Sequence, residues 1–228
     1  MKLSKRLQQI ESMVAPGYYS HIWDCCCDHG LLGAALLSRQ AAPCIHFVDI
    51  APELMAELKG KLQRFYPNLS SNWKIHCMDV AALPIERYEG KNLIIVAGVG
   101  GDLTTDFVNA IFQNHSATSI DFLLCPVYHQ FTLRQQLIQL DFNLKNEVLV
   151  EENQRFYEIL LVSSPTNTDD FQSKISPVGE LIWKADSPEQ LKITVNYLNK
   201  TVDHFQRMQQ GENAEIQHII DAYRSVNI

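Results

Sequence analysis

Short apolar runs recur along the chain at Tyr18–Asp24, Cys44–Asp49, Trp73–Met78, Asn92–Ala97 and Ile120–Cys125. Stretches with helical spacing lie between them, at Leu31 to Gln40, at Pro52 to Phe65 through Leu54, Met55, Leu58 and Leu62, and through Phe107, Ile111 and Phe112. Another, with Leu133, Leu137 and Leu140, follows the last run. Such alternation leaves few folds open. Parallel strands need a crossover each, and crossover helices cover both faces of the sheet, so the strands become apolar throughout. Asn92–Ala97 and Ile120–Cys125 have that character. The expected core is therefore an α/β, doubly wound, mostly parallel sheet.

Two β-rich runs, Phe142–Val150 and Arg155–Ser163, flank a polar break at Glu151–Gln154 and read as an antiparallel hairpin that completes a seven-stranded sheet. Ser163–Asp170 reads as a linker, which divides the chain into a domain at 1–164 and a C-terminal part at 165–228. In that second part Ser187 and Pro188 open a helix, with an apolar seam at Leu191, Val195, Leu198, Val202 and Phe205. A second seam at Ile216, Ile219, Ile220 and Tyr223 follows Gly211, so a helical hairpin of coiled-coil type is expected. Near the N-terminus, Leu3, Leu7, Ile10 and Val14 space a further helix that Pro16-Gly17 stops.

With 46% apolar and 20% charged residues, 228 positions supply a full core. No run reaches the roughly 18 apolar residues of a membrane span, and the basic start has no apolar segment after it, so a cytoplasmic protein is expected. A net charge of −7 argues against binding nucleic acid by overall charge and leaves room for a local basic face such as Lys2, Lys5 and Arg6. The six cysteines form no C-x-x-C pair, so they read as small, reduced core residues and no metal is expected.

The stretch Ile22–Gly33 reads as a strand end turning sharply into a helix, the place where α/β sheets bind nucleotide-like ligands. Its spacing is not the G-x-G-x-x-G of dehydrogenases. It resembles the D-x-G-x-G-x-G of S-adenosylmethionine methyltransferases, with Asp24 and Gly30 in place and Cys26 and Asp28 at the other two glycine positions. Asp24, Asp49 and Asp79 close the first three strands. On this reading Asp24 holds the methionine ammonium, Asp49 accepts from the ribose hydroxyls and Asp79 accepts from the adenine amine. Gly98 and Gly100, with Gly101 behind them, permit close backbone approach where cofactor and acceptor meet. The flanking His29, Ile50, Val80, Ala97 and Val99 join the expected cofactor set. Asp28 and Asp102 are candidate acid–base groups.

Leu3-Ser4-Lys5-Arg6-Leu7, Asp24 to Gly30 and Val96-Ala97-Gly98-Val99-Gly100-Gly101 together resemble the TrmK family of bacterial tRNA adenine-N1 methyltransferases, which shows LS-x-RL, D-I-G-S-D-H-A and I-A-G-M-G-G at these places. Pro126, Leu133-Arg134 and Phe156-Tyr157-Glu158-Ile159 are similar to its later motifs. The resemblance implies a Rossmann-like fold, S-adenosylmethionine as cofactor, tRNA as partner and methylation of N1 of adenine 22. It places Ser4, Lys5, Arg6, Gly101, Pro126 and Arg134 near the substrate. Two other readings of the same fold stay open: a methyltransferase for a small molecule or another RNA, and a non-catalytic binder of S-adenosylmethionine or RNA. The oligomeric state is also open.

Overall fold

The computed structural model describes residues 3–69, 72–166, 173–211 and 216–228. Ser4 caps the first helix, α1 (Lys5–Ser12), by accepting from the Leu7 N–H, and the helix buries Ile10 against the sheet. The alternation then unfolds as β1 (His21–Cys25), α2 (Leu31–Ser38), β2 (Cys44–Asp49), α3 (Pro52–Phe65) and β3 (Trp73–Cys77). β4 (Asn92–Ala97), α4 (Gly101–Asn114), β5 (Ile120–Cys125) and α5 (Gln130–Gln139) complete the parallel part. The antiparallel strands are β6 (Asn143–Glu152), β7 (Arg155–Ser163) and β8 (Ser173–Lys174).

The sheet order is β3-β2-β1-β4-β5-β7-β6-β8, with β1 to β5 mutually parallel and β6 to β8 antiparallel. The strand order reverses at β1 and β4, so a crevice opens at their carboxyl ends. Two cores confirm the double winding. One packs α1, α2 and α3 onto one face through Ile10, Leu36, Phe47 and Leu58. The other packs α4 and α5 onto the opposite face through Trp23, Val108, Phe122 and Leu137.

Three expectations need correction. The sheet has eight strands, because Ser173 and Lys174 add a short edge beside β6. The link from β3 to β4 contains no α-helix. Two 3-10 turns, Val80–Ala82 and Ile85–Arg87, separated by Pro84, bury Val80, Leu83 and Ile85 as a plug. In α6 (Pro188–Gly211) the expected seam holds at Leu198, Val202 and Phe205 and fails in the first turns, where Leu191 and Val195 are exposed while Ile193, Thr194 and Tyr197 are buried. The reason is that α6 packs on the sheet and Trp183 as well as on α7 (Gln217–Arg224), so its buried face serves two neighbours.

The expected linker is pinned where it begins. Ser164 Oγ accepts from the Ile120 N–H at 3.1 Å, and Thr166 donates to the Thr118 carbonyl at 3.1 Å. Its remaining residues, 167–170, lie outside the described ones. Farther on, Phe131 and Leu149 from the sheet side share a core with Val178, Ile182, Trp183, Ile193, Tyr197 and Tyr223. Arg134 ties this region together. Fully buried, it donates to Glu158 at 2.7 Å, Glu147 at 2.6 Å and the Ser176 carbonyl at 3.1 Å. Burial alone would raise the Glu147 carboxyl; Arg134 and the N–H groups of Glu180 and Leu181 hold it below its ordinary value.

Candidate functional site

The turn after β1 is built on left-handed residues. Cys26, Asp28 and Gly30 have φ of 52°, 49° and 67°. These are the three positions that carry glycine in the D-x-G-x-G-x-G pattern, so the backbone keeps the pattern's shape where two of its side chains differ. Left-handed geometry costs a non-glycine residue roughly 1–2 kcal/mol, and local bonds hold the turn in it. The Cys27 N–H donates to the Val48 carbonyl at 3.1 Å and the Gly30 N–H to the Cys27 carbonyl at 2.7 Å.

Two aspartates complete the clamp. Asp24 Oδ2 accepts from the Gly33 N–H at 2.8 Å, and Asp49 Oδ2 from the Asp28 N–H at 3.1 Å. The second Asp49 oxygen accepts from the Ala51 N–H at 3.1 Å. A Cβ on Gly33 would stand 2.3 Å from the Phe47 ring and 2.9 Å from the Asp24 carboxylate, so this glycine is required for the clamp. It was not among the expected site residues, although its place in the first turn of the helix was the available signal. Gly30 has a different role from the one expected: it is buried, and a Cβ there would meet Leu58 of α3, so it serves helix packing.

A cavity of about 240 Å³ lies over this turn, bounded by Arg6, Asp24, Cys26, Asp28, Ala97 and Gly98, with His29 and Val99 also on its wall. Gly98 has φ 98°, and a Cβ on it would point at the Arg6 guanidinium 3.8 Å away. Arg6 also lies over the Tyr157 ring at 4.9 Å. Its two neighbours are engaged elsewhere: the Ser4 hydroxyl is the helix cap, and Lys5 is exposed with its N–H on Glu152 at 2.5 Å.

Burial pushes the Asp24 carboxyl up to about 7, against the Gly33 N–H that lowers it, while Asp49 raises it further. Burial likewise pushes the Cys26 thiol up to about 11, helped by Asp49, Asp24 and Asp79, and raises Cys25 and Cys27 as well. The three cysteines are therefore protonated thiols at neutral pH and poor nucleophiles. Along the rim, Ile50 is 72% exposed and Asp79 caps the turn at Val80 by accepting from the Ala81 N–H. The Val80 side chain is buried in the core.

The loops after β4 and β5 are zipped together. The Val127 N–H donates to the Val99 carbonyl at 2.9 Å and the Gly101 N–H to the Tyr128 carbonyl at 2.9 Å. Gly100 lies under the Tyr128 ring, where a Cβ would come within 2.4 Å, and Gly101 lies on the Tyr128 and His129 backbone. Asp102, in the first turn of α4, holds His129 Nδ1 at 2.8 Å. This pair lines a larger cavity of about 560 Å³ between the zipped loops and the helices α6 and α7, with Tyr128, Phe156, Lys200 and His204. Asp28 and Asp102 thus face different cavities. Tyr128 and His129 were not foreseen, since only the pairing of the two loops brings them to Asp102.

Two residues expected at the substrate lie inside the protein. Arg134 is wholly enclosed by Glu147, Glu158 and Ser176, because the two carboxylates need a buried cation more than the surface does. Pro126 is buried at the end of β5.

Comparison with known proteins agrees with this geometry. The family model described as a methyltransferase domain matches residues 3–160. The structure is similar to that of the B. subtilis m1A22 tRNA methyltransferase TrmK, at TM-score 0.71 and 19% identity over 98% of this chain and 97% of that one. It is similar to M. capricolum TrmK in complex with S-adenosylhomocysteine, at 0.72 and 15% over 98% and 97%. It is also similar to Streptococcus pneumoniae Sp1610 in complex with S-adenosyl-L-methionine, at 0.74 and 20% over 98% of each chain. At such identities the likeness is one of fold. No curated protein matches the chain in sequence. Among the described residues no helix is long and apolar enough to cross a membrane.

Proposed function

The chain belongs to the methyltransferase-domain family, and on that premise we propose that it transfers a methyl group from S-adenosylmethionine to N1 of an adenine in tRNA, adenine 22 by analogy with the fold neighbours' names. The observation that carries the reading is the turn: all three glycine positions of the pattern are left-handed, and two carboxylates hold them there. Residues 1–164 would supply the chemistry and 165–228 a surface for the RNA.

The residues present fit the cofactor. The cradle over Gly98 is free of any Cβ, and Asp24 beside it suits the ammonium of the methionine end, with Arg6 opposite for its carboxylate. Each oxygen of Asp49 accepts one backbone N–H and keeps a lone pair for a ribose hydroxyl. Exposed Ile50 offers an apolar face to an adenine ring, and Asp79 an acceptor to its amine. When bound, the cofactor supplies an electrophilic methyl group.

N1 of adenine carries its own lone pair, so positioning does most of the work. Tyr128, 53% exposed above Gly100, offers a ring for the target base to stack on where the two cavities approach. Asp102 fixes the His129 tautomer with the proton on Nδ1, which leaves Nε2 as an acceptor for the N6 proton made acidic by methylation. Asp28 contributes through its backbone N–H to Asp49, and its exposed side chain stands as a second candidate acceptor.

The test is incubation of the protein with labelled S-adenosylmethionine and unmodified tRNA, followed by mass-spectrometric mapping. N1-methyladenine at position 22 supports the reading. Transfer to another molecule alone replaces the substrate, and cofactor binding with no transfer to any RNA makes the protein a binder.

A further inference from the structure

The neighbouring strands β1, β2 and β3 bring three histidines and a cysteine to one face, His21 and Cys44 at the strand starts, His46 midway along β2 and His76 farther along β3. His21 Nδ1 stands 3.0 Å from His46 Nε2, and His46 Nδ1 stands 2.9 Å from His76 Nε2. Cys44 is the register partner of His21, and donor atoms of His21, Cys44 and His46 all lie within 4.8 Å of one another. We propose that His21 Nδ1, His46 Nε2 and Cys44 Sγ form a binding site for a single zinc ion. Such a site is not legible as C-x-x-C spacing, because its ligands come from two strands and meet only through their register.

The donor set is the first argument. Two imidazoles and a thiol match the ligand preference of a borderline divalent metal such as Zn²⁺. Zinc–nitrogen bonds of about 2.0–2.1 Å and zinc–sulfur bonds of about 2.3 Å in a tetrahedron set nitrogens about 3.3 Å apart and nitrogen and sulfur about 3.6 Å apart. The imidazole pair therefore opens by a few tenths of an ångström, and the thiol draws in by at most about 1.2 Å from the 4.8 Å bound. A fourth position is left for water.

The surroundings are the second argument. A histidine ligand works best when its other nitrogen is held by an outer partner. His46 Nδ1 is held by His76 Nε2 at 2.9 Å. His46 is fully buried, stacked on Trp23 with centroids 3.8 Å apart and closed in by the edge of Tyr88 at 4.5 Å. Trp23 is itself fixed by its N–H to Asn92 at 2.9 Å. The Lys74 ammonium lies over the Tyr88 ring at 4.4 Å, and a thiolate formed on binding offsets part of the added charge.

The protons balance. The Cys44 S–H bond breaks, its sulfur binds the metal and its proton goes to solvent. The proton shared between His46 and His21 moves to His46 Nδ1 and donates to His76, whose own proton moves to its Nδ1. One proton is released for each ion bound.

The probe is Zn²⁺ in calorimetry on the full chain, with Co²⁺ as a spectroscopic substitute. One equivalent should bind, and Co²⁺ should give a near-ultraviolet thiolate charge-transfer band. Cys44→Ser should abolish that band and Cys77→Ser should leave it, while His76→Gln should weaken binding about tenfold or more. Should Cys44→Ser not fold, half-buried His21 gives the second variant, and His21→Gln should weaken binding at least about tenfold. No binding by the native chain, a band that survives Cys44→Ser, or an affinity unchanged in His21→Gln overturns the proposal.

Discussion

The Gly33 N–H donates to Asp24 Oδ2 at 2.8 Å, and this bond joins the end of β1 to the first turn of α2 beneath the cavity. It is the strongest local support for an ionised Asp24, yet burial outweighs it and lifts the carboxyl to about 7. A cation placed against Asp24 would favour the carboxylate and release a proton. We expect S-adenosylhomocysteine to bind about tenfold more tightly at pH 8 than at pH 6, since one pH unit below the shifted value only about a tenth of the sites are ionised. Calorimetry in buffers of different ionisation enthalpy should show proton release near pH 7, and Asp24→Asn should flatten the profile. For the ligand-free protein the sign reverses. A raised carboxyl means the folded state binds the proton more tightly, so the Asp24 contribution to stability is present below about pH 4 and lost as pH rises through about 7.

Cys26 holds φ 52° without a glycine's freedom. Removing its Cβ relieves roughly 1–2 kcal/mol of left-handed strain, against about 0.5–1 kcal/mol of added chain entropy in the unfolded state. Cys26→Gly should leave stability unchanged or raise it by up to about 1.5 kcal/mol in urea titration. A loss of more than that would show that the thiol packs against the turn more strongly than its half-exposed position suggests.

Asp102 and His129 form a pair at 2.8 Å on the wall of the larger cavity. Asp102→Asn and His129→Gln should each lower kcat by about 10²-fold or more while leaving cofactor affinity within a factor of about two. The double variant should be little worse than either single one, since the two act as a unit. Equal losses in kcat and cofactor binding would assign the pair to the fold.

Arg134 satisfies two buried carboxylates at once. Arg134→Met should destabilise the protein by about 3–5 kcal/mol, because it strands Glu147 and Glu158 without a countercharge. Tyr197 donates to Glu158 at 2.5 Å from α6, and Tyr197→Phe should cost about 1–3 kcal/mol. If Tyr197→Phe instead lowers methyl transfer with no change in denaturation midpoint, the bond positions the helical hairpin for substrate.

The order of apolar runs carried the parallel sheet, because a strand buried on both faces must be apolar at every position and a crossover helix must repeat at its own period. Cys44–Asp49, Asn92–Ala97 and Ile120–Cys125 are strands at the bounds the pattern suggested. The carboxylates Asp24, Asp49 and Asp79 were equally legible, since each follows such a run. What the pattern could not carry was anything made by contact between distant segments. Arg134 reads as a surface cation until Glu147 and Glu158 close around it. His129 becomes the partner of Asp102 only when the loops after β4 and β5 pair, and His21, Cys44 and His46 become one cluster only through the register of β1 and β2. Periodicity along the chain determines which residues are buried and in which element. The identity of their neighbours depends on how those elements pack, a long-range property that no local spacing encodes.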